Sequence, residues 1–433
     1  MILALALLYL VLAPGANYTL LIPVLALIGA VGTTKFVSNS GVIKQWMAPF
    51  FWLIAWGVWV IIVGLASGNS GRGLTDTAVP LVLGPAFWLL ATHATSDKFL
   101  RWVAPAIAAG VVGVSIVVIG TLFGVRIPIL SGLNANLGGN TFDGAGVTKV
   151  RLTSASSLLP GIPFLMTLAV LGRDSMRPVV RRWVLTALPI GFVGLIMAGR
   201  QAGLLTVALT ILLIPLLPRL FRSGVRVRNI RLSSKRVALL VAAVLVGAIA
   251  ATQLGISPVR LITRFLASIG LAEDDTLRTA FNARSSQIEA LLAGFRDSPI
   301  VGHGAGATSE ASIRNVEYPW RFEMQYHLLV FEGGLVALGL FSAAIRSGAR
   351  LVRSAVASAE PERAALLIAS SVAALAMLVA NGTNPYLRQV GLQFWVFLPL
   401  ILIHAGQRAD RRPSQSRVDP SSRPVSYQLE ESL

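Results

Sequence analysis

Cysteine is absent from this chain of 433 residues. That excludes disulfides, thiolate metal sites and a cysteine nucleophile. Charge is scarce at 13% of residues, and acids are scarcer than bases, 19 Asp and Glu against 37 Lys and Arg. The chain also lacks the alternating pattern of β-barrel strands and any repeat of fixed period. No nucleic-acid recognition motif accompanies its formal charge of +18, so no nucleic-acid partner is expected. What it has in abundance is apolar sequence. Hydrophobic residues make up 55% of the chain, in runs near or above the roughly 18–20 residues that cross a bilayer. The expected class is a polytopic membrane protein.

Backbone groups in lipid must be bonded within their own segment, so the expected fold is an all-α membrane helix bundle. About twelve spans can be read: 1–13, 18–33, 47–66, 77–93, 102–124, 154–172, 183–198, 203–218, 237–255, 326–345, 364–380 and 390–405. The first lacks a cationic leader region and reads poorly as a cleaved signal peptide. Alternate connections carry most of the basic residues, among them Lys98, Arg181, Arg228, Arg350 and Arg411, which assigns them and both termini to the cytoplasm. The opposite set (67–76, 125–153, the Gly199–Ala202 turn, 256–325 and 381–389) is then outside. This divides the chain into a first part of the bundle (1–255), one large extracytoplasmic loop (256–325), three last spans (326–405) and a disordered Ser-, Pro- and Arg-rich tail (406–433).

Arg200 is the sharpest single position. It lies in Gly199-Arg200-Gln201-Ala202-Gly203 between two apolar runs, where an arginine is costly unless paired or functional. In the large loop, Arg284 opens an amphipathic stretch (Ile288, Leu291, Leu292, Phe295) that would lie on the membrane face and aim Arg284 toward Arg200. Guanidinium forks match phosphate oxygens, so these arginines are read as a clamp for a lipid pyrophosphate, with Arg264 and Arg278 as possible accessories. Gly302-His303-Gly304-Ala305-Gly306 permits close backbone approach and offers amides to an anion, making Gly302 and Gly304 further accessory candidates. His303 itself reads as a loop histidine. Glu323 and His327 stand four apart where the chain re-enters the membrane, and on a helix they would share a face. Either can take a proton. Glu332 lies deeper and needs a partner. Glu273-Asp274-Asp275 reads as a helix N-cap rather than a metal site. His93 and His404 look structural.

Taken in order, the Gly199-Arg200 turn, the Arg284 helix, the Asp297-Ser298-Pro299-Ile300-Val301-Gly302-His303-Gly304 stretch and the Glu332-Gly333-Gly334 span resemble the O-antigen ligase and polysaccharide polymerase superfamily of bacterial inner-membrane glycosyltransferases. The resemblance covers most of the chain. It implies transfer of a glycan from an undecaprenyl pyrophosphate carrier to a hydroxyl of a glycan or lipid acceptor on the outer face, without a metal or other cofactor. Arg200 and Arg284 match the family's phosphate-facing arginines. The family commonly has His-Asn at the start of the re-entering span. Here Glu323-Met324 falls in that register, counted back from Glu332 and Gly334, and His327 comes a turn later. The general base is therefore Glu323, His327 or the two together. An inverting transfer is the primary expectation. A flippase for the lipid-linked glycan and a structural partner in a cell-envelope complex are the alternatives.

Overall fold

In the computed structural model of the protein, the described residues are 2–12, 18–38, 45–122, 138–143, 147–151, 154–172, 175–221, 249, 252, 275–311 and 317–411. Among them, eight helical segments are long and apolar enough to cross a membrane: Ala48–Ala66, Gly71–Ala94, Asp97–Thr121, Ser154–Leu171, Pro178–Met197, Gln325–Ser358, Pro361–Asn381 and Val390–Asp410. Large apolar side chains such as Ile62, Leu65, Leu83 and Leu212 are exposed around the bundle. Water would penalise such a surface, and lipid would not.

The helices are α1 (Ile2–Leu12), α2 (Tyr18–Ser38), α3 (Ala48–Ala66), α4 (Gly71–Ala78), α5 (Gly84–Ala94), α6 (Asp97–Leu122), α7 (Leu158–Leu171), α8 (Pro178–Met197), α9 (Gln201–Leu213), α10 (Leu217–Leu220), α11 (Asp275–Asp297), α12 (Gln325–Ser358), α13 (Pro361–Asn381) and α14 (Val390–Arg411). Several start where the sequence favours a start. Pro49, Pro178 and Pro361 occupy first turns, where a missing N–H removes no helical bond. Ser70 caps α4 by accepting from the Gly73 amide. A π-helical turn, Val79–Leu83, joins α4 to α5 around Pro80 and makes one span of the two. The segment containing α7 is 89% buried, which makes it central. It packs against α8, α9 and α13, while α12 packs on α3 and α14 on α13.

The structure departs from the sequence reading at the 125–153 connection, at two of the shorter spans and at the end of α12. The 125–153 connection contains an antiparallel hairpin, β1 (Gly138–Asp143) and β2 (Val147–Arg151), pairing Thr141 with Lys149 and Asp143 with Val147. The described fold is therefore helical with one small hairpin. The segments read as spans 1–13 and 203–218 appear as α1, of 11 residues, and α9, of 13, both shorter than a bilayer crossing. The segment read as span 237–255 lies outside the described residues apart from 249 and 252. Finally, α12 does not stop near 345. It runs for 34 residues, about 51 Å at 1.5 Å per residue. Arg346, Arg350 and Arg353 are helical because buried Val352 and Val356 continue the packing stripe beyond the apolar run.

The longest helix is also broken. Gly334 has φ 60° and ψ −156°. A strap of chain, 299–306, fills the break. The Leu335 amide donates to the Pro299 carbonyl at 2.9 Å, His303 N–H to Phe331 O at 2.9 Å, Gly304 N–H to Glu332 O at 2.7 Å and Ala305 N–H to Val60 O of α3 at 2.7 Å. Asn69 Nδ2 donates to the His303 and Ala305 carbonyls at 2.8 and 3.0 Å. Backbones this close need glycine. A Cβ on Gly304, at φ +81°, would lie 2.1 Å from the Gly64 nitrogen. We expect Gly304→Ala to destabilise the protein by about 3 kcal/mol or more, from overpacking and strain together. Thermal unfolding in detergent measures this, and an unchanged transition would contradict the packing described.

Candidate functional site

The polar candidates gather at the end of the bundle where α12 and α14 begin and α13 ends. Helix α11 packs on the start of α12. Its buried Leu291 joins Phe322, Leu328, Phe331 and Ala307 in a small apolar cluster that fixes α11 to the first turns of α12. One turn back along α11, the Gln287 Oε1 accepts from the Glu323 amide at 3.0 Å. A further turn brings Arg284, whose Nε donates to Glu323 Oε2 at 3.3 Å. The two side chains are 38% and 22% exposed, so the pair faces solvent and its intrinsic stabilisation is about 1 kcal/mol or less.

This geometry corrects the expectation that Glu323 and His327 share a helical face. The helix starts at Gln325, with Met324 as its cap residue at ψ 78°. Glu323 precedes it and turns toward Arg284. Burial of Phe322 and the Gln287 bond pull the chain off the helical path. His327 sits in the first turn, half-buried, and its Nδ1 is enclosed without a hydrogen-bond partner among the described residues.

Arg200 enters from the other side. Gly199, at φ +61°, makes the turn after α8, and Arg200 is the cap residue of α9. Gly203 is small for a different reason, since a Cβ there would meet Leu195 of α8 at 2.4 Å. The Arg200 Nη1 donates to Tyr386 Oη at 3.3 Å. Tyr386 belongs to a short 3-10 turn, Tyr386–Arg388, in the α13–α14 connection. That connection is tied to α12 because the buried Asn381 accepts from the Leu387 amide at 2.9 Å and also bonds the Tyr326 side chain. Arg200 and Arg284 therefore do not share a direct bond. They reach the same end of α12 through separate partners, Tyr386 and Glu323.

Sequence reasoning missed Arg388. Its Nη2 donates to Glu332 Oε2, and its Nη1 donates to Thr77 Oγ1 at 3.2 Å. Glu332 is fully buried and Arg388 nearly so. The Gly306 amide also faces the Glu332 carboxylate. Glu332 thus has the partner that an intramembrane carboxylate requires. The available signal was the lone arginine in the 381–389 connection, at the same end as the unpartnered glutamate.

The remaining candidates are placed as follows. The Gly302 amide donates to Ser298 O and that of Gly304 to Glu332 O, so both are engaged within the fold. His303 is structural: its Nε2 bonds the Gly294 carbonyl at 2.7 Å and its ring lies 4.9 Å from Phe331. Arg264 lies outside the described residues, as do Glu273 and Asp274, and so does the side chain of Arg278 on α11. The strap's return, 317–322, is clamped on α4. Asp76 accepts from Arg321 at 2.8 Å and from Trp320 at 3.2 Å, and the Arg72 and Arg321 guanidinium groups stand 4.3 and 4.0 Å from the Tyr318 ring centre. At the opposite end of the bundle, the rings of His93, His404 and Trp46 pack against one another at tilted angles. Among the described residues, no three His, Asp or Glu side chains gather as a metal-binding set.

No protein-family profile matches the chain, and no curated protein matches it. Its own geometry must therefore carry the functional reading. That geometry offers two arginines at one end of the bundle, with a carboxylate beside one of them and an imidazole a turn away. Such a set can hold an anion bidentately and accept a proton from a hydroxyl.

Proposed function

We propose that the protein is an extracytoplasmic glycosyltransferase, taking a glycan from a polyprenyl-pyrophosphate carrier and placing it on a hydroxyl of a glycan or lipid acceptor. The observation that carries this reading is the Arg284–Glu323 pair at the mouth of α12, with Arg200 held at the same end of the bundle. Arg200 and Arg284 bind the pyrophosphate and stabilise the negative charge that develops on it as the glycosidic C–O bond breaks. Glu323 takes the acceptor's proton as the new C–O bond forms. Its contact with Arg284 fixes the orientation of its carboxylate. His327, with an enclosed and unbonded Nδ1, is the alternative proton acceptor. Attack from the face opposite the leaving pyrophosphate inverts the anomeric centre. The excess of basic residues in the connections at the other end supports the outward orientation of this site, in the cytoplasmic membrane of a bacterium.

One observation favours a second reading. The break at Gly334 lies nine residues into α12, about 14 Å along the helix axis. The buried Arg388–Glu332 pair stands beside it. A discontinuous span with internal charge is how transporters build a midplane site, and a flippase for the same lipid-linked glycan would also need outer arginines. Reconstitution separates the two. In liposomes carrying a synthetic polyprenyl-pyrophosphate glycan and an acceptor sugar, the transferase consumes donor and releases polyprenyl pyrophosphate, and does so equally with chelator present. Donor that moves between leaflets but stays intact would overturn the transferase in favour of the flippase. A ladder of products marks a polymerase, and a single block transfer marks a ligase.

A further inference from the structure

At the end of the bundle opposite the candidate site, a cavity of about 400 Å³ opens between the last turns of α12 and α14, the first turns of α13, and Trp46 ahead of α3. Its volume falls in the range of small-molecule sites. Its lining is graded along the axes of all three helices. On α12, Leu351 comes before Ser354 and Ser358 as the helix leaves the bundle. On α14, Ile403 comes before Gln407 and Asp410. On α13, which runs the other way, Arg363 comes before Leu367. The apolar side chains are thus the deeper ones on each helix, and the hydroxyls, amide and charges lie toward water.

The polar rim is a charge pair of fixed geometry. Arg363 Nη1 and Nη2 donate to Asp410 Oδ2 and Oδ1, each at 2.8 Å. The guanidinium side chain is largely covered, at 19% exposed, while the carboxylate is 62% exposed. Nη1 and Nη2 are committed to the fork. The fork uses one N–H of each, and no other hydrogen bond of this guanidinium, nor any side-chain hydrogen bond of Ser354 or Gln407, is found among the described residues. A purely anionic ligand would be drawn to Arg363 and repelled by Asp410. A ligand bearing both charges, anion and cation a few bonds apart, matches both.

We propose that this cavity binds a phospholipid with a phosphoethanolamine headgroup. The phosphate is received by Arg363 with the nearby serine hydroxyls, the ammonium lies on Asp410, and the acyl chains leave past Leu351, Leu367 and Ile403 into the membrane. Binding is non-covalent and does not depend on the transferase reading. It requires only that these helices cross a membrane.

The test is competitive retention, read by native mass spectrometry. The delipidated full-length protein in detergent is offered an equal mixture of phosphatidylethanolamine and phosphatidylglycerol with matched chains. Retention of the ethanolamine lipid by about tenfold over the glycerol lipid is expected, the scale of one charge-assisted contact. Asp410→Asn should abolish that preference. Because breaking the ion pair can unsettle the helix ends, Ala355→Trp supplies a second variant that fills the cavity and leaves the pair intact. It should lose both lipids with its unfolding temperature unchanged. Equal retention of the two lipids by the unmodified protein, or full retention by Ala355→Trp, would overturn the proposal. So would stabilisation by inorganic phosphate alone equal to that by the lipid, which would assign the cavity to a soluble anion.

Discussion

Glutamine in place of Glu323 should slow glycosyl transfer by about a hundredfold to ten-thousandfold, the contribution of a positioned general base. Donor binding should change little, because the amide oxygen still accepts from Arg284 at a site whose ion pair is partly solvated. Arg284→Ala should behave differently. It would remove one fork of the proposed pyrophosphate clamp and release Glu323 from the orientation that the 3.3 Å contact gives it, so both donor binding and turnover should fall. Initial rates over a range of donor concentration separate the two effects. If Glu323→Gln retains full turnover while His327→Ala loses it, the base is the histidine. If both retain it, no proton acceptor at the mouth of α12 is in use and the transferase reading fails.

Removing one member of the Glu332–Arg388 pair should be the most destabilising single change in the bundle. Glu332 is fully buried, and its charge is answered only by Arg388 and the Gly306 amide among the described residues. Leaving the arginine uncompensated costs about 3–5 kcal/mol. Glu332→Ala and Arg388→Ala should each show this in thermal unfolding. Glu332→Leu combined with Arg388→Met should recover much of the loss, because the double change removes both desolvation penalties. The single variants should also loosen the strap. It bonds the carbonyls of Phe331 and Glu332, so hydrogen exchange at the His303 and Gly304 amides should quicken. Unaltered exchange there would mean that the strap is held by Asn69 and α3 alone.

The sequence made eight spans readable because their signal is local: long apolar runs between charged connections. It also picked out Arg200, whose position between two apolar runs is anomalous on any reading. What it did not reveal depends on contacts between distant residues. Nothing around Arg388 says that its guanidinium turns inward to Thr77 and Glu332. Nothing around Gln287 says that it holds the Glu323 amide. The i, i+4 spacing of Glu323 and His327 was real but misleading, because the helix begins after the first of them. The alternate glycines at 302–306 were legible as a place of close backbone approach. That the approaching backbone is the broken α12, with α3 beside it, required the fold. The hairpin in 138–151 was masked by the expectation that a membrane chain is helical throughout, a rule that governs the hydrocarbon layer and not the connections.

The central claim is that Arg200 and the Arg284–Glu323 pair, reaching one end of α12 through separate partners, act on a single pyrophosphate. A double-mutant cycle on binding of a non-hydrolysable polyprenyl diphosphate analogue measures this directly, using the unmodified protein, Arg200→Ala, Arg284→Ala and the double variant. Two arginines on one ligand should each weaken binding by about tenfold or more, with a coupling of about 0.5–3 kcal/mol between them. Additive losses, or a single variant that binds as well as the unmodified protein, would contradict a shared site.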